Sequence, residues 1–310
     1  MPMHLSRRKF IRATSLAATA VAAGATGLRA DDDPPTPPPK YNALIGTHLD
    51  GWAAYYARMN KTLADNLDEA LSAIRDCGYD YVEGRLDLEK PENNTTFAQR
   101  LKGKGFTPVC IDMTGTFHET ATAVHNVNRY LESAKTAYEA GFTLLNCRAQ
   151  SLDRDKKPAE LNTQITALRQ FGEGLGKFGM RLGVHHNLSD TRRGGWDYQA
   201  MFRQSPGKTI GFCFDVGTLH RGGIAPMDAL KDYTARLVSW QLRQSREGVW
   251  LEDLTKGDID YETLIPHAKR YRLAPYYTVA LELDKDTKIT RSVVENHKRS
   301  RDYLKALLGT

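Results

Sequence analysis

Cysteine is scarce: four in 310 residues, at positions 77, 110, 147 and 213, with no CxxC pair among them. A thiolate-bound metal is therefore not indicated. Three of the four lie inside apolar, strand-like runs and read as buried thiols; one disulfide in an oxidising compartment is the alternative. HxH and HExxH spacings, which would suggest a zinc hydrolase, are missing too. So is a GxGxxG loop: the segment from Gly46 to Gly51 after the first strand-like stretch has the wrong spacing, and no other segment offers a phosphate cradle. The apolar run from Leu16 to Leu28 spans 13 residues, too short for a bilayer that needs about 20. No stable membrane anchor is expected.

A surplus of one charge sign is also lacking once the first thirty residues are set aside. The formal charge is +6, but residues 1–30 hold Arg7, Arg8, Lys9, Arg12 and Arg29 and no acid, so without these five it falls to +1. A near-neutral remainder makes no electrostatic case for nucleic acid. The thirty residues read as a twin-arginine signal, with Ser6-Arg7-Arg8-Lys9-Phe10-Ile11 followed by the apolar run and a small-residue end at Ala30. The twin-arginine export machinery is thus an expected partner, and the expected location is periplasmic or otherwise exported. Folding before export suits a protein that loads a metal in the cytoplasm. Residues 31–40, three aspartates and then mostly proline, are expected to form a linker that is neither helix nor strand.

What is present, from Tyr41 onward, is regular alternation. Strand-like runs fall at 43–48, 79–83, 107–112, 143–147, 181–185, 209–215, 237–242 and 277–282. Between them lie amphipathic stretches such as 63–77, with Leu67, Ala70, Leu71 and Ile74 at helical spacing. Pro226 stands at a favoured first-turn position, and Asp260 stands where a cap belongs. Eight strands, each followed by a helix, predict a single (β/α)8 TIM barrel over residues 41–310, near the usual size of about 250 residues. A doubly wound open sheet is the alternative, and it would call for the missing phosphate loop.

Barrel active sites are built at the C-terminal ends of the strands. Here those ends carry His48, Glu83, Asp112 with His118 beyond it, Cys147-Arg148, His185-His186-Asn187, Asp215, Gln241-Leu242-Arg243 and Glu282. One such residue on an apolar strand is usually a satisfied core group; most strand ends behaving so is a pattern that packing does not explain. Imidazole, carboxylate and amide oxygen together suit a divalent ion such as Mn, Co, Zn or Mg. His185 and His186 are adjacent, so on a strand they face opposite sides. Alternation with Gly183 puts His185 in the barrel mouth.

On these residues the chain resembles the xylose-isomerase-like barrels of the sugar isomerase/epimerase superfamily. The matching features are Tyr81-Val82-Glu83, Leu182-Gly-Val-His185-His-Asn187, Phe214-Asp215-Val-Gly217 with Gly222-Gly-Ile-Ala-Pro226 behind it, Trp240-Gln241-Leu-Arg243, and Leu281-Glu282-Leu283. The stretch from Arg243 to Tyr261 looks like the signature of an exported subgroup. The resemblance implies one divalent metal held by His185, Asp215, Gln241 and Glu282. Two of these depart from the family pattern, His185 replacing a glutamate and Gln241 a histidine.

The resemblance also implies proton abstraction next to a sugar carbonyl, with the metal stabilising the enediolate. A histidine ligand has no spare lone pair to act as a base. A one-base reaction is therefore easier to build than a two-glutamate epimerisation: either aldose–ketose isomerisation or β-elimination from a 3-keto-glycoside. Glu282 is the first candidate base, with Glu83, His186 and His118 in reserve for the acid role, although Glu83 could instead pair with Arg85 or Arg148. His48, Trp52, His118, Arg148 and Arg243 are the expected substrate contacts, since a sugar offers a C–H face to an indole and hydroxyls to charged donors. An exported location argues for a non-phosphorylated carbohydrate. Two other classes are a nuclease of the AP-endonuclease type, which would need more metals and a basic face, and a non-catalytic sugar-binding protein, which would need no metal.

Overall fold

The computed structural model describes residues 41–310; the twin-arginine signal and the linker expected at 31–40 lie outside the described residues. Eight parallel strands close into a barrel: β1 (Leu44–His48), β2 (Tyr81–Arg85), β3 (Cys110–Gly115), β4 (Leu144–Ala149), β5 (Arg181–His185), β6 (Gly211–Asp215), β7 (Leu237–Leu242) and β10 (Tyr276–Val279). Each pairs with its neighbours in sequence, and β10 closes the ring onto β1 with Leu44 beside Tyr276 and Thr47 beside Val279. The remaining two strands, β8 (Ser245–Arg246) and β9 (Val249–Trp250), form a separate hairpin above β7. Glu247 and Gly248 make its turn, both with positive φ, as the right-handed twist of a tight hairpin requires.

Helices α1 (Leu49–Arg58), α2 (Leu67–Asp76), α3 (Glu92–Gly103), α4 (Ala123–Ala140), α5 (Pro158–Phe178), α6 (Arg192–Arg203), α7 (Val216–Arg221), α8 (Pro226–Tyr233), α9 (Tyr261–Arg270) and α10 (Val293–Leu308) connect the strands. Their ends follow local chemistry. Asp260 accepts from the Thr263 amide at 2.9 Å and so caps α9, as its position suggests, and Ser292 caps α10. Prolines open α5 and α8, and Gly141 and Gly179 close α4 and α5 in the left-handed region. Strands β6 and β7 are buried at every position, the mark of a parallel sheet covered on both faces. Inside the barrel, Tyr81, Val109, Cys110, Leu144 and Val238 fill the end opposite the mouth. All four cysteines are buried free thiols. Among the described residues no helix is long and apolar enough to cross a membrane.

Three elements differ from the sequence expectation. Helix α1 starts directly after β1, where no helix is expected, because the His48 side chain caps it by accepting from the Asp50 amide at 3.1 Å. Its buried face, Leu49, Trp52, Tyr55 and Tyr56, has ordinary helical spacing. Helix α7 is an extra turn capped by Asp215. The last barrel strand stops at Val279 rather than Glu282. Ala280 still donates to Leu242 O at 2.8 Å, but the next residue turns its carbonyl onto Gly51 of α1, so Glu282 sits on an irregular rim segment.

Candidate active site

Period-two alternation along the strands carries a second layer of inward side chains above the apolar plug. Glu83 is its centre. The carboxylate is fully buried and accepts from Asn146 Nδ2, Gln241 Nε2 and Thr278 Oγ1, each at 2.8 Å. Ser239 donates to Asn146 Oδ1 at 2.8 Å and Tyr81 shares a 2.8 Å hydrogen bond with Thr278, so residues of four strands, β2, β4, β7 and β10, support one carboxylate. Gly183 makes room for this layer, since a Cβ there would meet Asn146 Oδ1. Neither Arg85 nor Arg148 pairs with Glu83. Both turn to Asp112 and Asp50 instead. A buried carboxylate held by neutral donors, with no cation within 4 Å, is an uncommon arrangement.

Asp112, the third residue of β3, stands in a crowd of basic side chains. His185 Nε2 is 3.0 Å from Oδ1, while Arg85, Arg148 and His48 approach Oδ2 at 3.1, 3.7 and 3.7 Å. Burial alone would raise its pKa; the His185 hydrogen bond and the neighbouring His48 ring overcome that and hold the carboxyl well below its usual range. The His48 pKa moves up: burial opposes the charged ring, but Asp112 outweighs it. On the opposite side of the mouth, Asp215 accepts from the Thr218 amide at 2.9 Å and from Arg243 Nη2 at 2.8 Å. Arg243 reaches Glu282 with its other terminal nitrogen. The Asp215 pKa is lowered because the charge of Arg243, then the nearby His185 ring, overcome desolvation.

His48, Asp50, Arg148, His185, Gln241, Arg243 and Glu282 line one inner cavity of about 10 Å³, room for a single water. A second cavity of about 160 Å³ lies outside it, bounded by Arg148, Asn187, Thr218, Arg221, Trp250 and again Arg243 and Glu282. Arg148, Arg243 and Glu282 line both and stand between them. Around the mouth, the carboxylates Asp50, Glu83, Asp112, Asp215 and Glu282 face three guanidiniums, Arg85, Arg148 and Arg243. The five negative and three positive charges leave a formal −2 before the imidazoles are counted.

The sequence-based site residues fare differently. His185, Asp215, Gln241 and Glu282 all reach the mouth, and each is engaged there by another side chain. His185 is bonded to Asp112, Gln241 to Glu83, and both Asp215 and Glu282 to Arg243. Among the described residues, the metal-type grouping is His48, Glu83 and Asp112, whose ligand atoms lie within 4.8 Å of one another. An imidazole with two carboxylates fits a divalent ion in donor type, and Asp112 Oδ2 is buried without an aligned hydrogen bond. Loading it trades away a contact: a metal on His48 Nε2 moves the ring proton to Nδ1, which now accepts the Asp50 amide.

Trp52 does not face a substrate. It is fully buried, stacked on His297 at 4.6 Å, with its indole N–H on Thr47 at 3.3 Å. His186 points away from the mouth, as the alternation requires, into a cage of Tyr198, Phe202 and Phe212. Neither ring nitrogen finds a partner, and desolvation lowers its pKa to about 4, which removes it as a proton donor at neutral pH. His118 is buried in the loop after β3 with Glu119 at 3.8 Å and lines neither cavity. His48, Arg148 and Arg243 do line the mouth. Asp50, Asn146 and Thr278 escape sequence reasoning; a polar residue in each otherwise apolar strand, at 146 and 278, is the signal that could have found two of them.

The chain matches no family model and no curated protein. Its fold is that of xylose-isomerase-like (β/α)8 barrels. A sugar phosphate isomerase/epimerase from Parabacteroides distasonis superposes with a TM-score of 0.68 at 15% identity, over 86% of this chain and 94% of that one. A D-allulose 3-epimerase from Methylomonas sp., in complex with D-allulose, gives 0.65 at 11% identity over 86% and 97%. A xylose isomerase-like TIM barrel protein from Mycobacterium smegmatis, in complex with magnesium, gives 0.64 at 15% identity over 86% and 97%. At these identities the likeness is one of fold.

Proposed function

We propose that this protein is an enzyme of the sugar isomerase/epimerase class that moves a proton next to the carbonyl of a small, non-phosphorylated sugar or keto-sugar. The observation that carries the reading is the mouth itself: two carboxylates, Asp50 and Glu282, and two imidazoles, His48 and His185, line one small cavity, and the buried carboxylates Glu83, Asp112 and Asp215 stand on the strands around it. Superposable barrels that include a sugar epimerase support the class. Glu282 is the base. Its side chain is 40% exposed, so it can reach a ligand, and only Arg243 restrains it. A sugar oxygen that takes the Arg243 N–H from Glu282 frees the carboxylate and polarises the carbonyl in one exchange. The same exchange opens the wall to the outer cavity, which the inner space needs before it can admit a sugar.

His48, Glu83 and Asp112 are the residues that would hold a divalent ion. When bound, it would supply charge stabilisation to the developing enediolate. Arg148 binds hydroxyls at the rim, and His185, tied to Asp112, keeps that carboxylate oriented. The twin-arginine motif places the enzyme outside the cytoplasm in this reading, where unphosphorylated sugars are the available substrates. A second reading, β-elimination from a 3-keto-glycoside, draws support from the outer cavity, which offers space for a leaving group beyond Arg243. The test is turnover of aldoses, ketoses and 3-keto-glycosides by wild type and Glu282→Gln. Activity on one class that falls at least a hundredfold in the variant, roughly the contribution of a positioned base, supports the account. Equal activity of the two proteins rejects Glu282 as the base.

A further inference from the structure

The geometry points to Arg243 as the resident cation of the β6–β10 side of the mouth: Asp215 and Glu282 hold its guanidinium, in the place where they would otherwise hold a metal ion. Three features make this a built seat rather than a chance ion pair. First, the guanidinium bridges both acids, with Nη2 2.8 Å from Asp215 Oδ2 and Nη1 on Glu282. The two terminal nitrogens of a rigid guanidinium fork can each take one carboxylate at a fixed separation, which a lysine's single ammonium cannot reproduce.

Second, the chain around it is shaped for the side chain. Gly217 follows Asp215 by two residues, and a Cβ there would collide with Arg243 Cγ, so the aliphatic stem runs through the gap that this glycine leaves. The Trp250 ring lies 5.3 Å from the guanidinium carbon and covers it from the hairpin side. Third, the backbone of Arg243 is clamped. Its amide donates to the Tyr261 hydroxyl at 3.1 Å, and that hydroxyl donates to its carbonyl at 2.6 Å. The side chain is 5% exposed. A divalent ion between Asp215 and Glu282 would need this guanidinium expelled from a pocket that fits it, or two like charges side by side in a dry site.

The fifth- and seventh-strand positions agree. His185 spends Nε2 on Asp112, and its Nδ1 is buried, unbonded and 3.8 Å from Asp215 Oδ2. Gln241 spends its amide on Glu83. With Arg243 in place, a metal can load only on the far side of the mouth, at His48, Glu83 and Asp112. The inference stands on geometry alone; that Arg243 polarises a sugar carbonyl rests additionally on the proposed function.

The test counts metal in the mature protein, equilibrated with Mn2+ and freed of excess, by elemental analysis. Wild type and Glu282→Gln are expected to carry the same number of equivalents. Arg243→Met is expected to gain one, and Arg243→Met/Asp215→Asn to lose it again. A wild-type ion that disappears in Glu282→Gln would overturn the inference, as would an unchanged count in a folded Arg243→Met. Should Arg243→Met fail to fold, the Glu282→Gln comparison decides alone, since that side chain sits at the rim. Sugar turnover is read separately, so a failed metal count and a failed reaction assignment are distinguishable.

Discussion

At the scale of single residues, Glu83 has the most unusual surroundings in the protein. A buried carboxylate normally keeps a cation; this one has an asparagine, a glutamine and a threonine. All three present hydrogens, so the site is matched to two acceptor oxygens and not to an amide. Glu83→Gln turns one acceptor into a donor against a donor. It should lower stability by about 1–3 kcal/mol, the cost of leaving buried polar groups unpaired. Urea unfolding of the two proteins measures this. An unchanged or higher midpoint would mean that its neighbours do not select a carboxylate.

Among elements, the pair of histidines at the end of β5 shows how alternation divides labour. His185 enters the mouth, while His186 is sealed between α6 and β6 by aromatic rings. Its pKa of about 4 lies below the ordinary 6.5, desolvation outweighing the nearby Asp190. The sign follows directly: the unfolded chain takes up a proton below pH 6.5 and the folded ring does not. Stability contributed here is therefore full above 6.5 and is lost as pH falls from 6.5 towards 4, on the order of 3 kcal/mol for this shift. His186→Phe, which suits the cage, should flatten the midpoint-against-pH curve in that window; an unaltered slope would show that the ring titrates normally. The strand ends that bring the site together were legible because period-two alternation and polar residues on apolar runs survive in a single sequence. The partners of those residues were not. Trp52 reads as a sugar platform until the spacing of Leu49, Tyr55 and Tyr56 is recognised as helix α1, which turns the indole into the core. The choice of Arg243 over a metal depends on Gly217, Trp250 and Tyr261, which lie 26 residues before it and 7 and 18 after it in the chain.

For the molecule as a whole, closing eight strands places five acids and three arginines on one rim, and the fold tolerates this because nearly every charge meets an opposite one there. Glu83, which meets only neutral donors, is the exception, and it is one of the three residues that would hold a divalent ion. The most direct measurement is solvent exchange: sugars incubated with the protein in D2O and followed by NMR. The account predicts deuterium entering at the carbon next to the carbonyl of at least one aldose, ketose or keto-glycoside, dependent on Glu282. Carbon-bound protons that stay unexchanged across the panel, in a folded protein that still binds the sugars, would contradict proton transfer as its function.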